Sequence, residues 1–600
     1  MQTKRYIALA LAASTLVVSC RESDFLDQKP QGVLSEAILN SPQGVDQLIT
    51  AAYSAQMGTT QGDATQHPTT NWSYGEVRAD NAYKGGGGTG DIHDIHRIET
   101  YTVDPLNGNL DAKWFHLYSS VRRCNAALRV LNAASDSEIP NRQVRIAEMK
   151  ALRGHFYFEL VRMYNKIVWI EESVDEQDYA AIPNGEFSRD ELLGKIATDL
   201  EEAAKVLPES HSDLGRINKY MATAYAAKVN LYRAYQQNPQ DHSVSNIDKA
   251  LLQRVVDLTG QVINSGRYQL LSDFQHLDLM AYENGSESIW AVQYTMNDGS
   301  SEPAGRINWS MLLNTPQGPY SGDGFYLPSQ NLVDAYQTDA QGLPLLDGSF
   351  NGKHYDLITF VGDKAVNNNI DSNVDPRLDF VVGRPNVRWK TYPETPYLAT
   401  WVRDRGTYGY HSVKRFWLSP ESPDMYKGWP WGASGLNWQV IRYAHVLLWR
   451  AEALIELGQL EEARTLINQI RVRAKNSQMV KAWTPKAGDA ATYPNFNGYA
   501  AKYLINEYPA NAWTQDYARR ALRHEMRLET ALEGDRFFDL VRWGIAAETM
   551  NKYFEVERDQ RVYYRDSRFV KGRDEYYPIP LNQYKFSGNR YTQNAGYGSF

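Results

Sequence analysis

The sequence predicts a mainly α protein: helix pairs of tetratricopeptide size form a scaffold, and long irregular loops with a few short strands decorate it. Three observations lead there. Apolar residues recur at three- and four-residue spacing over several long segments, as they do along one face of a helix. Residues 442–474 hold two such stripes split by Gly458-Gln459-Leu460. The stretches between stripes change texture, becoming rich in Gly, Pro, Asn, Asp and aromatic residues.

Taken in chain order, residues 141–165 place Ile146, Met149, Leu152, Phe156, Leu160 and Met163 on one helical face. Comparable stripes run through 190–206, 216–235 and 251–263, and a strand-like run follows at 288–294. In 442–474, Gly458 can adopt the positive φ of a helix C-cap. Ala451, Ala453 and Ala463 let the two helices approach closely, and the pair has about the 34-residue size of a tetratricopeptide unit. Such units stack into scaffolds. Residues 58–110, 295–330, 340–440 and 476–512 are too long to be turns. Loops beyond about 12–15 residues are usually functional or disordered, and aromatic content argues against disorder. Binding is therefore expected on these excursions and support on the helices.

Composition narrows the function. The chain has 600 residues, 42% hydrophobic and 22% charged, as in ordinary globular proteins. Its net charge of −8, with basic residues spread along its length, excludes nucleic acid as an expected partner. The opening MQTKRYIALALAASTLVVSC combines Lys4 and Arg5 with an apolar run from Ile7 to Val18. That run is well short of the ~20 residues of a membrane span and reads as a secretory signal. Its last residue, Cys20, stands where bacterial lipoproteins are cleaved and acylated, so the segment resembles a lipobox. Acyl chains on Cys20 would hold the protein at a membrane surface. Arg21, Glu22, Ser23 and Asp24 resemble the surface-export signal of Bacteroidetes lipoproteins, which implies an outer-membrane, outward-facing location. Cys124 then has no intrachain partner and is expected to pack as a small buried residue. The expected division is a signal peptide at 1–19, an N-terminal helical portion at 20–280, and a C-terminal portion at 281–600 on the same scaffold.

Motifs for catalysis are missing. Glu525, Arg527, Glu529, Glu533, Asp535, Arg536, Asp539 and Arg542 alternate in sign at helical spacing, which fits ion pairs more simply than acid/base chemistry. There is no Gly-x-Ser-x-Gly elbow and no Cys–His nucleophile pair. His93 and His96 have metal-ligand spacing, but no further ligand is placed to close a zinc site. They read as part of a polar loop, and neither metal nor cofactor is expected. The glycines at 85–88 lack phosphate-loop context and read as flexible.

Seven segments stand in a telling order: LRGHFYFELVRMYNK at 152–166, GRINKYMATAYAAKVNLY at 215–232, DPRLDFVVG at 375–383 and RYAHVLLWRAEALIELG at 442–458. RHEMRLETALEGDRFFDLVRWG at 523–544, YPIPLNQ at 577–583 and QNAGY at 593–597 complete the series. In this order they resemble the SusD/RagB family of outer-membrane nutrient-binding lipoproteins. His445 departs from the family's usual Asp, and Asn165-Lys166-Ile167 from its Gly-Asp-hydrophobic turn. The resemblance implies a right-handed, SusD-like scaffold of four tetratricopeptide-like pairs. It also implies a non-catalytic lipoprotein that binds an oligosaccharide or polysaccharide and passes it to a SusC-like TonB-dependent transporter. Some members bind peptides instead, which leaves a peptide receptor as the alternative, with a polysaccharide-cleaving enzyme third.

A glycan site needs flat rings for the C–H face of a sugar and amides, carboxylates or guanidinium groups for its hydroxyl rim. Three loop segments offer both. The first provides Trp72, Tyr74, Arg78, Asp80, Asn81, Tyr83 and Tyr101; the second Arg306, Asn308, Trp309, Tyr320 and Tyr326; the third Trp429, Trp431 and Trp438. The preferred glycan-binding set is Trp72, Tyr83, Tyr101, Arg306, Asn308, Trp309 and Tyr320, with Trp309 and Tyr83 or Tyr101 as the stacking pair. Trp114, Trp449 and Trp543 fall in helical stripes and are expected in the core.

Overall fold

The computed structural model describes residues 41–58, 61–296, 306–361, 364–368, 371–390, 396–426, 428–482, 498–598 and 600. Cys20 and the leader lie outside the described residues.

Among the described residues nine long helices carry the scaffold: α1 Pro42–Met57, α2 Gly108–Ala133, α3 Arg142–Tyr164, α4 Arg189–Val206, α5 Lys219–Ala234, α6 Lys249–Asn264, α7 Tyr443–Glu456, α8 Leu460–Asn476 and α9 Gln515–Glu529. Each packs against the one before it, so α2–α3, α4–α5, α6–α7 and α8–α9 are four successive pairs. Local chemistry sets the ends. Ser188 and Glu191 form a reciprocal capping box at the start of α4. Gly458, with φ +83°, turns α7 into α8. The small residues at 451, 453 and 463 are fully buried between neighbouring helices, as the sequence predicts.

Residues 265–442 leave the scaffold between α6 and α7 and return to it. They add short strands, including β2 Ser288–Val292 and β4 Trp438–Arg442, which pair antiparallel. An earlier strand, β1 Ala82–Gly85, pairs with β3 Phe325–Pro328. Gly85 ends β1 at φ +77°, and a Cβ there would lie 2.6 Å from the Gly324 carbonyl oxygen. Its glycine thus serves close backbone approach at a turn, which corrects the expectation of mere flexibility. The excursion builds a second apolar cluster around Trp309, Tyr320, Trp389 and Trp401, alongside the main core that runs from Val45 to Tyr591. Trp114, Trp449 and Trp543 lie in the main core. Cys124 is fully buried, and burial pushes its thiol up to about 12.

The charged set at 525–542 consists of buried ion pairs. Glu529 accepts from Arg442 at 2.7 Å, from Arg377 at 3.0 Å and from Arg473. Glu525 meets Arg377 at 2.7 Å and Arg471 at 2.9 Å. Glu533 binds Arg442 at 3.0 Å and Arg415, and His445, the departure noted above, lies 3.0 Å from it. Asp535 pairs with Lys228 at 2.7 Å and with Arg162, while Arg542 joins Glu452 to Asp539. Glu525, Glu529 and Glu533 tie α8 and α9 to the excursion, while Asp535 and the Arg542–Glu452 pair tie the segment after α9 to α3, α5 and α7.

Burial makes stability depend on pH in two opposed ways. Burial lowers His116 and His524 to about 3 and His155 and His242 to about 4. Their contribution is complete above about 6.5 and declines as pH falls, because only the unfolded chain takes up those protons. Burial raises Glu76, Glu283 and Glu575 to about 7, so the folded state binds protons first and gains stability as pH falls from 7 toward 4.5. The two offset each other down to about pH 4.5. Below that the glutamate gain stops, and Glu529, which its arginines hold at about 2 against the effect of burial, adds to the loss. The melting temperature should stay nearly level from pH 7 to about 4.5 and then fall steeply. A steady decline starting at pH 6.5 would contradict this balance.

Candidate functional site

Most sequence-predicted site residues are structural. Trp72 is fully buried, its ring 5.6 Å from that of Tyr326. Tyr83 is buried and donates to Glu557 Oε2 at 2.6 Å while accepting from the Gln330 amide at 2.9 Å. Tyr101 donates to the Arg78 carbonyl at 2.6 Å and packs under that guanidinium at 4.2 Å. Tyr320 donates to the Leu418 carbonyl and accepts from Trp389 Nε1, both at 2.8 Å. All four rings bury their bodies between layers, and the three tyrosines satisfy their hydroxyls internally, whereas Trp72 Nε1 is buried without a hydrogen-bond partner. No face remains for a sugar, which corrects the expectation for these four. Asn308 is also buried, its backbone N–H donating to the Ser434 carbonyl at 3.0 Å. Arg306 is exposed. His93 and His96 sit on a short helix, His93–Glu99, rather than in a loop, because Ile95 and Ile98 give it a buried side.

One tryptophan site faces water among the described residues. Among the described residues every tryptophan is buried except Trp429, 57% exposed, and Trp431, 47% exposed. They flank Pro430 at the tip of a hairpin closed by the Tyr426 N–H on the Ala433 carbonyl at 2.8 Å and by a Met425–Ser434 bridge. Gly432, at φ +74°, is the position that lets this tip lie flat on the protein: a Cβ there would meet Thr315 at 2.2 Å. Trp309 stands beneath, its ring 5.7 Å from that of Trp429 at 62°. Arg306 and Gln317 are exposed at the two ends of the same 306–317 segment. Two exposed indole rings thus lie at the hairpin tip over a buried one, and the segment that supplies the buried ring carries exposed polar residues at both ends.

Trp309 is the support of the exposed pair. It is 6% exposed, and removing a buried Trp side chain typically costs about 3–5 kcal/mol. Trp309→Ala should therefore lower the urea midpoint clearly as well as weaken any ligand that uses Trp429. A variant with unchanged stability would instead place Trp309 at the surface.

Asp63, His67 and His116 bring one ligand atom each within 4.8 Å of one another. The two imidazole rings are stacked 4.3 Å apart and 9° from parallel. Lone pairs lie in the ring planes, so parallel stacked rings aim past each other rather than at one ion. The trio packs α2 against the segment 61–67, which begins with the short helix Gln61–Thr65.

A family model described as the SusD family matches residues 286–597. The chain belongs to the SusD family. A second model, "Starch-binding associating with outer membrane", matches residues 24–231. The SusD-like protein P38 of Formosa agariphila is 24% identical over 519 residues, covering 84% of this chain and 85% of its own. Among solved structures, a SusD superfamily protein from Bacteroides vulgatus matches with a TM-score of 0.66 at 19% identity, covering 93% of this chain and 99% of its own. Surface glycan-binding protein A from Bacteroides thetaiotaomicron, in complex with laminarihexaose, matches with a TM-score of 0.60 at 19% identity, covering 92% and 99%. This SusD family member therefore has the mainly helical, SusD-like fold that its sequence predicts.

The signal for the exposed pair is in the sequence. Two tryptophans around a proline, between Gly428 and Gly432, form a turn, and residues at a hairpin tip cannot be covered from both sides.

Proposed function

We propose that this SusD family protein binds oligosaccharides on the Trp429–Trp431 pair without cleaving them. The observation that carries this reading is the exposure of those two rings while every other described tryptophan is buried. Such rings offer flat apolar faces to the C–H face of a pyranose, and Arg306 and Gln317 offer donors to its hydroxyls. The laminarihexaose-bound relative supports a glycan as the ligand class. Acylation at Cys20 would hold the protein at the outer membrane, in keeping with the outer-membrane association in the family description. The ligand would then pass to a SusC-like TonB-dependent transporter.

Calorimetric titration of the purified protein against a panel of neutral oligosaccharides of different linkage tests the reading. Saturable heat is expected for at least one of them. No heat from any glycan, with binding to peptides instead, would overturn it.

A further inference from the structure

Away from the hairpin, a cavity of about 400 Å³ opens between α9, the segment 345–351 and the helices that follow α9. We label these α10 Arg536–Arg542 and α11 Ala546–Glu557. Five cationic side chains line it: Arg520, Arg523, Arg527, Arg536 and Lys552. Three of them follow from one periodicity, since residues 520, 523 and 527 of α9 share a helix face. Like charges so spaced repel, so the helix holds them together at a cost.

Three carboxylates of the lining, Asp80, Asp347 and the exposed Glu548, stand against five cations, so the set keeps a net positive charge. Asp80 is the one buried carboxylate of the lining, and two guanidinium groups share it, Arg536 at 2.8 Å and Arg527 at 3.3 Å. Asp347 accepts from the backbone and hydroxyl of Ser349 at 3.0 and 2.6 Å and also acts electrostatically on Arg520. Lys552 pairs with Glu555 at 3.2 Å, outside the cavity. Arg523 is half-buried and, among the described residues, makes no hydrogen bond or close ion pair; Glu452 and Glu456 of α7 act on it only electrostatically, and its guanidinium lies 5.3 Å from the centre of the Trp543 ring. Mutual repulsion leaves a trace: burial first, then Arg527, lowers His524 to about 3, so that ring is neutral. A planar guanidinium that makes no hydrogen bond, in a cationic recess, suits bidentate contact with an oxyanion. The rim adds Asn351 and Thr549 for hydroxyls and Phe350 for an apolar face.

We propose that this cavity binds an acidic saccharide, its oxyanion, a uronate carboxylate or a sulfate ester, held by Arg523 and Arg520. The saccharide part rests on the glycan-binding reading above; the anion part rests on the cavity alone. The hairpin with Trp429 and Trp431 contributes no residue to this lining, so the two sites are separable.

Titration of the full chain with glucuronate, glucose 6-sulfate and glucose at matched ionic strength tests it. At least one charged sugar should bind saturably and glucose should not, and the charged sugar that binds identifies the group. Arg523→Gln should weaken that binding tenfold or more, and Trp429→Ala should leave it unchanged. Should Arg523→Gln fail to fold, Arg520→Gln, at an exposed position, should still weaken it threefold or more. No saturable binding of either charged sugar, or equal binding by wild type and the arginine variants, would overturn the proposal. Neutral oligosaccharides on the hairpin variants report separately on the other site.

Discussion

Glu529→Ala is expected to give a protein that is unfolded or close to it. The carboxylate is fully buried and accepts from Arg377, Arg442 and Arg473, which reach it from the excursion, the start of α7 and α8. Removing it leaves three guanidinium groups, none more than 5% exposed, with one fewer counter-charge. Breaking a buried ion pair by deleting one partner costs about 3–5 kcal/mol, a large part of the ~5–15 kcal/mol that holds an ordinary domain together. The effect reaches the neighbours, because Arg442 and Arg473 also share Glu287 at 2.9 and 3.1 Å. Urea unfolding is the measurement. A midpoint within error of wild type would show that the network contributes nothing net to stability.

The second large effect concerns binding. Trp429→Ala and Trp431→Ala are each expected to cost about 2 kcal/mol of glycan affinity, the size typical of an aromatic anchor, or about 30-fold. The double variant should show no detectable binding. Because both rings are exposed, stability should stay within about 0.5 kcal/mol of wild type. That contrast with Trp309→Ala separates a contact residue from a supporting one. Retained affinity in the double variant would move the glycan site elsewhere.

The helices were legible in the sequence because periodicity is a local property. Expectations of 141–165 and 190–206 compare with observed helices Arg142–Tyr164 and Arg189–Val206. The ordered family segments were equally readable, since they mark helix faces and the ion pairs between them. Ring exposure was not. Tyr83 lies in a polar, glycine-rich segment that reads as surface, yet its hydroxyl is bound by Glu557, 474 residues further along the chain. Arg78 likewise meets the Asp574 carbonyl 496 residues away. Such partners are brought together only by the stacking of helix pairs, so composition near the ring says nothing of its burial. At 429–431 the local sequence does decide, because a Gly- and Pro-bounded turn leaves its tip uncovered whatever packs below.

Hydroxyl-radical footprinting with and without a bound oligosaccharide tests the central claim most directly. Protection of Trp429 and Trp431 on binding is the predicted result, with Trp72, Tyr83, Tyr101 and Tyr320 unreactive throughout. Full ligand occupancy with both tryptophans still oxidised at their free rate would contradict it.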